Sequence, residues 1–435
     1  MTCCHPTTAN FDHEVAFSVD VSSITFGPGV LAEAGEALAA LSCRRVALFT
    51  DPTVGRLEAV SVARGSLQAA GLEVAVYDQA RVEPTNGSFL AAAEFAREGK
   101  FDGFLSIGGG SVIDTCKAAA LYSRYPAEFL AYVNAPVGEG RPVPGPLPAH
   151  VACPTTCGTG SECTGIAVFD HLELKAKTAI ASRHLRPARA LIDPTLTRTL
   201  PPMVVAASGF DVLCHALESF TARPYIARSR PPSAQARPMS QGSNPWSDVG
   251  AREALRLAGQ FLVRAVRDSA DTEAREALSW AATLAGIAFG NAGCHLPHAM
   301  SYSVAGLVRD YHCPGYPEVE PLVPHGISVV VNAPGVFRAL APHLPERHLE
   351  AAGLLGANAE RTRPEDAAEL ISGALERLMR DAGVPMSPAA LGFGREDVVA
   401  LTRGAMLQKR LVDNAPIQID AARMQSLFED SLSPG

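Results

Sequence analysis

The sequence predicts an α/β domain with a parallel sheet over residues 1–197 and an all-helical domain over residues 198–435. Three observations lead there. At 435 residues the chain is too long for one compact core, so two domains are the natural division. Up to about residue 197 short β-rich runs alternate with helical patterns, as in a parallel sheet covered by helices. After LIDPTLTRTLPP (191–202) strand signals nearly vanish.

In chain order, strands are expected at RVALFT (45–50), LEVAVYD (72–78), FDGFLSI (101–107) and HVACP (150–154). Helices are expected between them at 31–41, 66–72 and 89–99, and again after the glycines at 108–110. In the second half, helical periodicity marks 204–222, 247–267, 275–289, 364–383 and 395–407. The proline-rich stretch 224–246 reads either as a linker or as an ordered loop over a site.

Hydrophobic content of 47% and charged content of 19% are those of an ordinary globular chain, and a net charge of −8 argues against nucleic acid as partner. Ten cysteines lack the paired spacing of small secreted scaffolds, so free thiols are expected. Cys153, Cys157 and Cys163 lack the CxxC spacing of a zinc knuckle, and Cys3, Cys4 and His5 read as a frayed terminus. The N-terminal stretch shows neither a signal peptide nor an arginine-rich import sequence, and no run of about 18 apolar residues suggests a membrane partner.

The run FLSIGGGSVIDTCKAA (104–119) reads strand, tight turn, helix. Gly108, Gly109, Gly110 and Ser111 would let backbone N–H groups and the helix dipole meet a phosphate. A ligand-free turn explains the same glycines. Asp51, ending a strand, can accept from ribose hydroxyls and would repel a 2′-phosphate, favouring NAD over NADP. It can equally be a turn former. Thr155, Thr156, Thr159 and Ser161 place hydroxyls on a Gly-containing loop in the same half.

In GFDVLCHALES (209–219), Asp211 and His215 stand four apart, hence on one helix face. A buried Asp–His hydrogen bond is the simple reading; a shared divalent ion is the other. His295, His298 and His325 lie in apolar or small-residue surroundings further on. One Asp and three His would suit Fe²⁺ or Zn²⁺ with a position open for substrate, which allows polarisation of an alcohol or carbonyl oxygen.

With GGGSVIDTCKA, PTTCGTGSE, GFDVLCHALES, HAMSY and PHG in this order, the chain resembles the iron-dependent (group III) alcohol dehydrogenase family over essentially its whole length. The resemblance implies a Rossmann-like N-terminal domain and a helical C-terminal domain, the dehydroquinate synthase-like fold, with NAD(P) and metal meeting in the cleft between them. It implies metal ligation by Asp211, His215, His298 and His325, with His295 a neighbouring wall residue. It implies cofactor contacts from the glycine turn, Asp114 and Lys177, the last of which is otherwise read as a surface lysine.

RVEPTNGSF, SRHLRPARALIDP, QGSNPWSD and FGNAGCHLPHAMSY are closer still to the hydroxyacid-oxoacid transhydrogenase branch. That branch implies hydride transfer from 4-hydroxybutyrate to 2-oxoglutarate, giving succinic semialdehyde and 2-hydroxyglutarate. Alternatives are an alcohol dehydrogenase using free NAD(H) and, at a distance, a lyase of the dehydroquinate synthase type. That lyase would need a Glu where Asp211 stands and a basic cluster beside it. Many family members carry a His where this chain has Tyr302, a poor base at neutral pH. The acid substrates call for a cationic anchor, expected among Arg223, Arg228, Arg230 and Arg237 of the insert region or Arg183 and Arg186, with the insert capping the cleft. A homo-oligomer, a dimer, is expected. Mammalian members of the branch are mitochondrial, but for want of an evident import sequence a cytoplasmic location is expected here.

Overall fold

The computed structural model describes residues 12–173, 176–316, 321–359 and 362–432. Cys3, Cys4 and His5 lie outside them. Six strands, β1 (Ser23–Phe26), β2 (Arg45–Phe49), β3 (Glu73–Tyr77), β4 (Gly103–Gly108), β5 (Ala149–Pro154) and, after a hairpin, β8 (Arg189–Ile192), make one parallel sheet in the order β1-β8-β5-β4-β2-β3. The hairpin, β6 (Ile166–His171) with β7 (Ala176–Ala181), stands outside it. Helices α1 (Ala34–Ala40), α2 (Glu58–Ala69), α3 (Asn86–Gly99) and α4 (Gly110–Arg124) alternate with the early strands. β4 is buried at every position, as a strand covered on both faces must be. β2 pairs with β3 on one side and β4 on the other, so the winding reverses between β2 and β4. Ligands bind such sheets outside the carboxyl ends of the strands at that reversal.

The expected strands coincide with β2 to β5. β1 and β8 are four residues each, too short to show a pattern, and the expected helix at 66–72 overlaps only the end of α2 and runs past Gly71 (φ 73°).

No strand follows β8 among the described residues. The long helices α5 (Pro202–Thr221), α6 (Pro245–Arg267) and α7 (Thr272–Ala292) pack together around Phe210, Leu213, Leu217, Leu255, Leu262 and Leu278, all fully buried. Losing one of these leucines to Ala would cost about 2–5 kcal/mol. α5 is long and apolar enough to cross a membrane by composition, though Asp211, His215 and Glu218 interrupt its apolar residues, and 83% of that window is buried inside the protein. Helices α8 (Leu296–Gly306), α9 (His325–Val330), α10 (Ala333–Leu340), α11 (Pro345–Leu354), α12 (Ala367–Ala382), α13 (Val398–Met406), α14 (Lys409–Val412) and α15 (Ala421–Leu432) complete this half.

The proline-rich insert is an ordered loop. Main-chain bonds tie Gln241 N to Asn291 O and Gly242 N to Ala292 O, each at 2.8 Å, and Tyr225 N to Ser243 O at 3.1 Å. The described residues before β1 touch both halves: His13 bridges Ser229 and Asp20 N donates to Asn291 Oδ1 at 2.9 Å, while Ser22 Oγ donates to Glu162 O at 3.0 Å.

Candidate functional site

A cleft of about 360 Å³, within the range of small-molecule sites, lies between the carboxyl edge of the sheet and the helical half. The turn from β4 into α4 forms one wall. Gly109 is the N-cap of α4 and carries no side-chain cap, so the first N–H groups of the helix are open to a ligand. A Cβ on Gly110 would sit 2.5 Å from Thr159 Cγ2, so only glycine lets the Thr155–Ser161 loop close over the turn. Gly109, Gly110, Ser111, Thr155, Thr156 and Thr159 all line the cleft; Gly108 does not, its carbonyl instead accepting from Thr155 N at 3.0 Å.

Asp51 reaches the cleft, and one of its oxygens caps the turn after β2 through Thr53 N and Val54 N at 2.8 and 2.9 Å. The turn-forming role is thus present, and the other carboxylate oxygen is not used by that turn. Asp114 and Ser161, expected as cofactor contacts, have structural partners as well. They line the cleft, but Ser161 Oγ donates to Asp114 Oδ1 while accepting from Lys117, and Asp114 Oδ2 accepts from Val168 N at 2.9 Å. Their polar atoms brace α4 against β6.

Opposite the turn, α5 presents Asp211 and His215, α8 presents His298, and α9 begins with His325. Gly326 explains how α9 comes so near: a Cβ there would lie 1.8 Å from Ala207 O on α5. Asp211 Oδ1 is 3.7 Å from His215 Nδ1, 3.4 Å from His298 Nε2 and 3.7 Å from His325 Nε2. Asp211 Oδ1, His215 Nδ1 and His298 Nε2 are buried and have no hydrogen-bond partner. Orphaned buried polar atoms are costly and rare, so a cluster of them calls for a ligand. Donor atoms about 2.1 Å from one ion at tetrahedral angles stand about 3.4 Å apart. The donor set fits a divalent ion.

The rings are held in place for that role. Phe289 stacks on His215 with centroids 3.9 Å apart and planes 7° apart. Glu218, fully buried, accepts His298 Nδ1–H through Oε1 at 2.6 Å and His295 N–H through Oε2 at 2.6 Å. The first bond fixes the His298 tautomer with its Nε2 lone pair toward Asp211. Burial pushes His215 down to about 3 and lowers His325, leaving both neutral with lone pairs free. Burial opposes protonation of His298 too, but Glu218 outweighs it and raises that ring above its ordinary value. Desolvation alone would raise Asp211; the surrounding imidazoles hold it well below the usual carboxylate range.

His295 stands behind this cluster: Nδ1 accepts from Leu296 N at 2.7 Å and Nε2 meets Thr221 Oγ1 at 3.0 Å, leaving no lone pair for a ligand. Cys294 lies close to His215 and His298, but burial raises its thiol and disfavours a thiolate ligand. Tyr302 lines the cleft, and burial raises its phenol further despite Arg410, His298 and Lys177 nearby. It is a hydrogen-bond donor at neutral pH.

Lys177 also reaches the cleft, yet it is not a surface lysine. It pairs with Glu83 and with its cross-strand neighbour Asp170 at 3.1 Å. Burial would lower its ammonium, but the two carboxylates raise it above the ordinary value. Glu83 follows β3 in left-handed backbone (φ 54°), an unusual conformation for this residue type that often marks a functional position. Glu83, Glu218 and Arg410 were missed from the sequence. RVEPT and HALES contain the first two, and Glu218's place three residues after His215 was the only local signal.

The arginines expected to face the cleft do not line it. Arg183 pairs with Asp20 at 2.6 Å and Arg237 with Glu14 at 2.9 Å; Arg186 donates to Cys163 O at 3.0 Å and Arg228 to Asn414 Oδ1 at 2.6 Å. The side chains of Arg223, Arg228 and Arg237 border a separate surface pocket. No described residue of the insert lines the cleft, contrary to the expected cap; Ser240 accepts from Arg410, which does line it, at 3.2 Å.

Residues 22–194 match the iron-containing alcohol dehydrogenase family, and residues 238–432 match the C-terminal region of the same family. The chain belongs to the iron-containing alcohol dehydrogenase family. Asp211 and His215 fall between the two matched segments, so their placement rests on the geometry above. Among relatives of this dehydrogenase, the mitochondrial hydroxyacid-oxoacid transhydrogenase of Mus musculus is 48% identical over 96% of the chain and 90% of its own length. A probable mitochondrial hydroxyacid-oxoacid transhydrogenase of Dictyostelium discoideum is 42% identical over 97% of the chain and 80% of its own. The alcohol dehydrogenase of Oenococcus oeni has the same fold, with a TM-score of 0.83 at 26% identity over 96% of this chain and 100% of that one. This dehydrogenase is therefore an oxidoreductase with a sheet domain and a helical domain. The expected cytoplasmic location is corrected by these same relatives, which are named as mitochondrial. That reading was made on residues 1–17, of which the first 11 lie outside the described residues, and an address is not part of the packed fold.

Proposed function

We propose that the protein moves a hydride, by way of a nicotinamide cofactor, from 4-hydroxybutyrate to 2-oxoglutarate, giving succinic semialdehyde and 2-hydroxyglutarate. The observation that carries this reading is the convergence of Asp211, His215, His298 and His325 on one point of a cleft whose other wall is an uncapped helix start. The 48% identity to a hydroxyacid-oxoacid transhydrogenase supports the choice of substrates.

In this reading the four side chains hold Fe²⁺ or Zn²⁺, whose contribution when bound is Lewis-acid polarisation of the alcohol or carbonyl oxygen. The nicotinamide supplies the hydride acceptor and donor. The chain's own part is positional. The Gly109–Ser111 turn receives the cofactor pyrophosphate, and Asp51 Oδ2 takes the ribose hydroxyls and disfavours a 2′-phosphate, hence NAD. Glu218 keeps His298 in the ligating tautomer, and Phe289 keeps His215 in plane. Tyr302 donates a hydrogen bond to a substrate oxygen and does not serve as base. The Glu83–Lys177–Asp170 network stiffens the junction where β3 and the hairpin meet the cleft. A homodimer is part of the reading, to be checked by the mass in solution.

The decisive experiment incubates metal-loaded protein with 4-hydroxybutyrate and 2-oxoglutarate and no added nucleotide. Formation of 2-hydroxyglutarate is expected. Turnover of alcohols only with added NAD would replace the transhydrogenase by an alcohol dehydrogenase using free cofactor.

A further inference from the structure

Hydroxyacids and oxoacids bring a carboxylate into the cleft, and a desolvated carboxylate needs a cation or several donors. Two permanently cationic side chains line the cleft, Lys177 and Arg410. Lys177 already faces two carboxylates, Glu83 and Asp170, and has no net charge to offer. Arg410, on the short helix α14, has no carboxylate within ion-pair distance among the described residues. Its one hydrogen bond there, from NH1 to Ser240 Oγ at 3.2 Å, uses one of its five N–H groups. The side chain thus reaches the cleft rim steered by a neutral partner, with most of its planar fork unengaged.

Its position relative to the chemistry is also visible. Tyr302 and Cys294, both lining the cleft beside His298, feel the Arg410 charge. Helix α14 packs against α8, which carries His298 and Tyr302, and Arg410 is exposed, so its guanidinium stands at the solvent side of the cleft next to the ligand cluster.

We propose that Arg410 is the anchor for the distal carboxylate of both substrates and both products. The substrate chemistry makes a single anchor sufficient. In 4-hydroxybutyrate and succinic semialdehyde, two methylenes separate the reacting carbon from the carboxylate. In 2-oxoglutarate and 2-hydroxyglutarate, two methylenes separate the reacting C2 from the distal carboxylate. One guanidinium at a fixed offset from Asp211, His215, His298 and His325 measures the same length in each half-reaction. It also selects against acids whose reacting carbon lies nearer the carboxylate, because these cannot reach both points. This inference rests on the transhydrogenase reading and names the residue that gives it its acid specificity.

The test uses the metal-loaded full-length enzyme in wild-type, Arg410→Gln and Arg410→Lys forms. Wild-type production of 2-hydroxyglutarate from 4-hydroxybutyrate and 2-oxoglutarate comes first; its absence sinks the functional reading itself and is thereby distinguished from a failure of the Arg410 assignment. Given that activity, Arg410→Gln is expected to raise KM for 4-hydroxybutyrate and for 2-oxoglutarate together, by about 10- to 100-fold, the worth of a charge-assisted hydrogen bond. The ratio of kcat/KM for 4-hydroxybutyrate over that for butan-1-ol should fall by the same factor. Calorimetric binding of succinate, a non-reacting dicarboxylate, should weaken in parallel. Arg410→Lys, which keeps the charge and loses the fork, should fall between the two. An unchanged acid-to-alcohol ratio in Arg410→Gln, or undiminished succinate binding, overturns the assignment.

Discussion

Glu218 offers the sharpest test of the metal centre, because it is not itself one of the four ligands yet holds one of them, His298, by a hydrogen bond. Its two oxygens accept from His298 Nδ1 and from His295 N, both at 2.6 Å, in fully buried surroundings. Glu218→Gln is nearly isosteric but has one oxygen and one NH₂. The backbone N–H of His295 can only donate, so the amide oxygen must face it and the NH₂ must face His298 Nδ1. His298 then has to accept at Nδ1, which moves its proton to Nε2, the atom 3.4 Å from Asp211 Oδ1. A protonated Nε2 cannot ligate. Either the tautomer is forced back at the cost of an N–H facing an N–H, or the ligand is lost. Loss of such supporting partners costs about 10- to 100-fold in metal affinity, equivalent to about 1.4–2.8 kcal/mol. The assay is competition of the apo-protein with a chelator for Zn²⁺ and Fe²⁺, with circular dichroism to confirm an intact fold. A folded Glu218→Gln that binds either ion as tightly as wild type would refute the tautomer argument.

Three further outcomes follow from the geometry. His298→Ala should retain far less than one metal per chain after dialysis, whereas His295→Asn should keep stoichiometric metal, as measured by elemental analysis; equal loss in both would show that the structure separates them wrongly. Gly110→Ala places a methyl 2.5 Å from Thr159 Cγ2 and should weaken NADH binding about tenfold in a fluorescence titration; unchanged affinity would detach the glycine turn from the cofactor. Burial pushes the Glu162 carboxyl up to about 7 from 4.5, so the folded state holds this proton more tightly than the unfolded one. That stabilisation is full below pH about 4.5 and fades as pH rises to about 7, by at most about 3 kcal/mol. Glu162→Gln should flatten the urea-midpoint profile over that window, and a profile identical to wild type would count against it.

The local part of this protein was legible because its causes are local. Asp211 and His215 share a face because a helix advances 3.6 residues per turn, whatever surrounds it. The glycine turn reads as a strand-to-helix junction because β4 is uniformly apolar and α4 begins at once. The strands β1 and β8 were not legible, since four residues carry too little pattern and the two pair with each other across more than 160 residues; the hairpin β6–β7 stands outside the main sheet, and its mixed apolar and charged residues lack the uniformly apolar run of β4. The insert arginines misled for a related reason. They lie near the ligand pair in sequence, but the loop bonds to the N-terminal arm and to residues 291–292, which turns Arg237 to Glu14 and Arg228 to Asn414.

Sequence by itself determined the division into a sheet half and a helical half, the glycine turn between a strand and a helix, and the Asp211–His215 pair on one helix face, since each is a pattern read along contiguous residues; the full set of four candidate ligands came from the family resemblance. Tertiary structure alone decided that the orphaned donor atoms meet within 3.4–3.7 Å of Asp211 Oδ1. It also decided that Glu218 sets a tautomer across 80 residues, and that Arg410 rather than any insert arginine enters the cleft. Those are relations between elements brought together by burial of apolar faces, and neither propensity nor spacing within one element encodes which faces will meet.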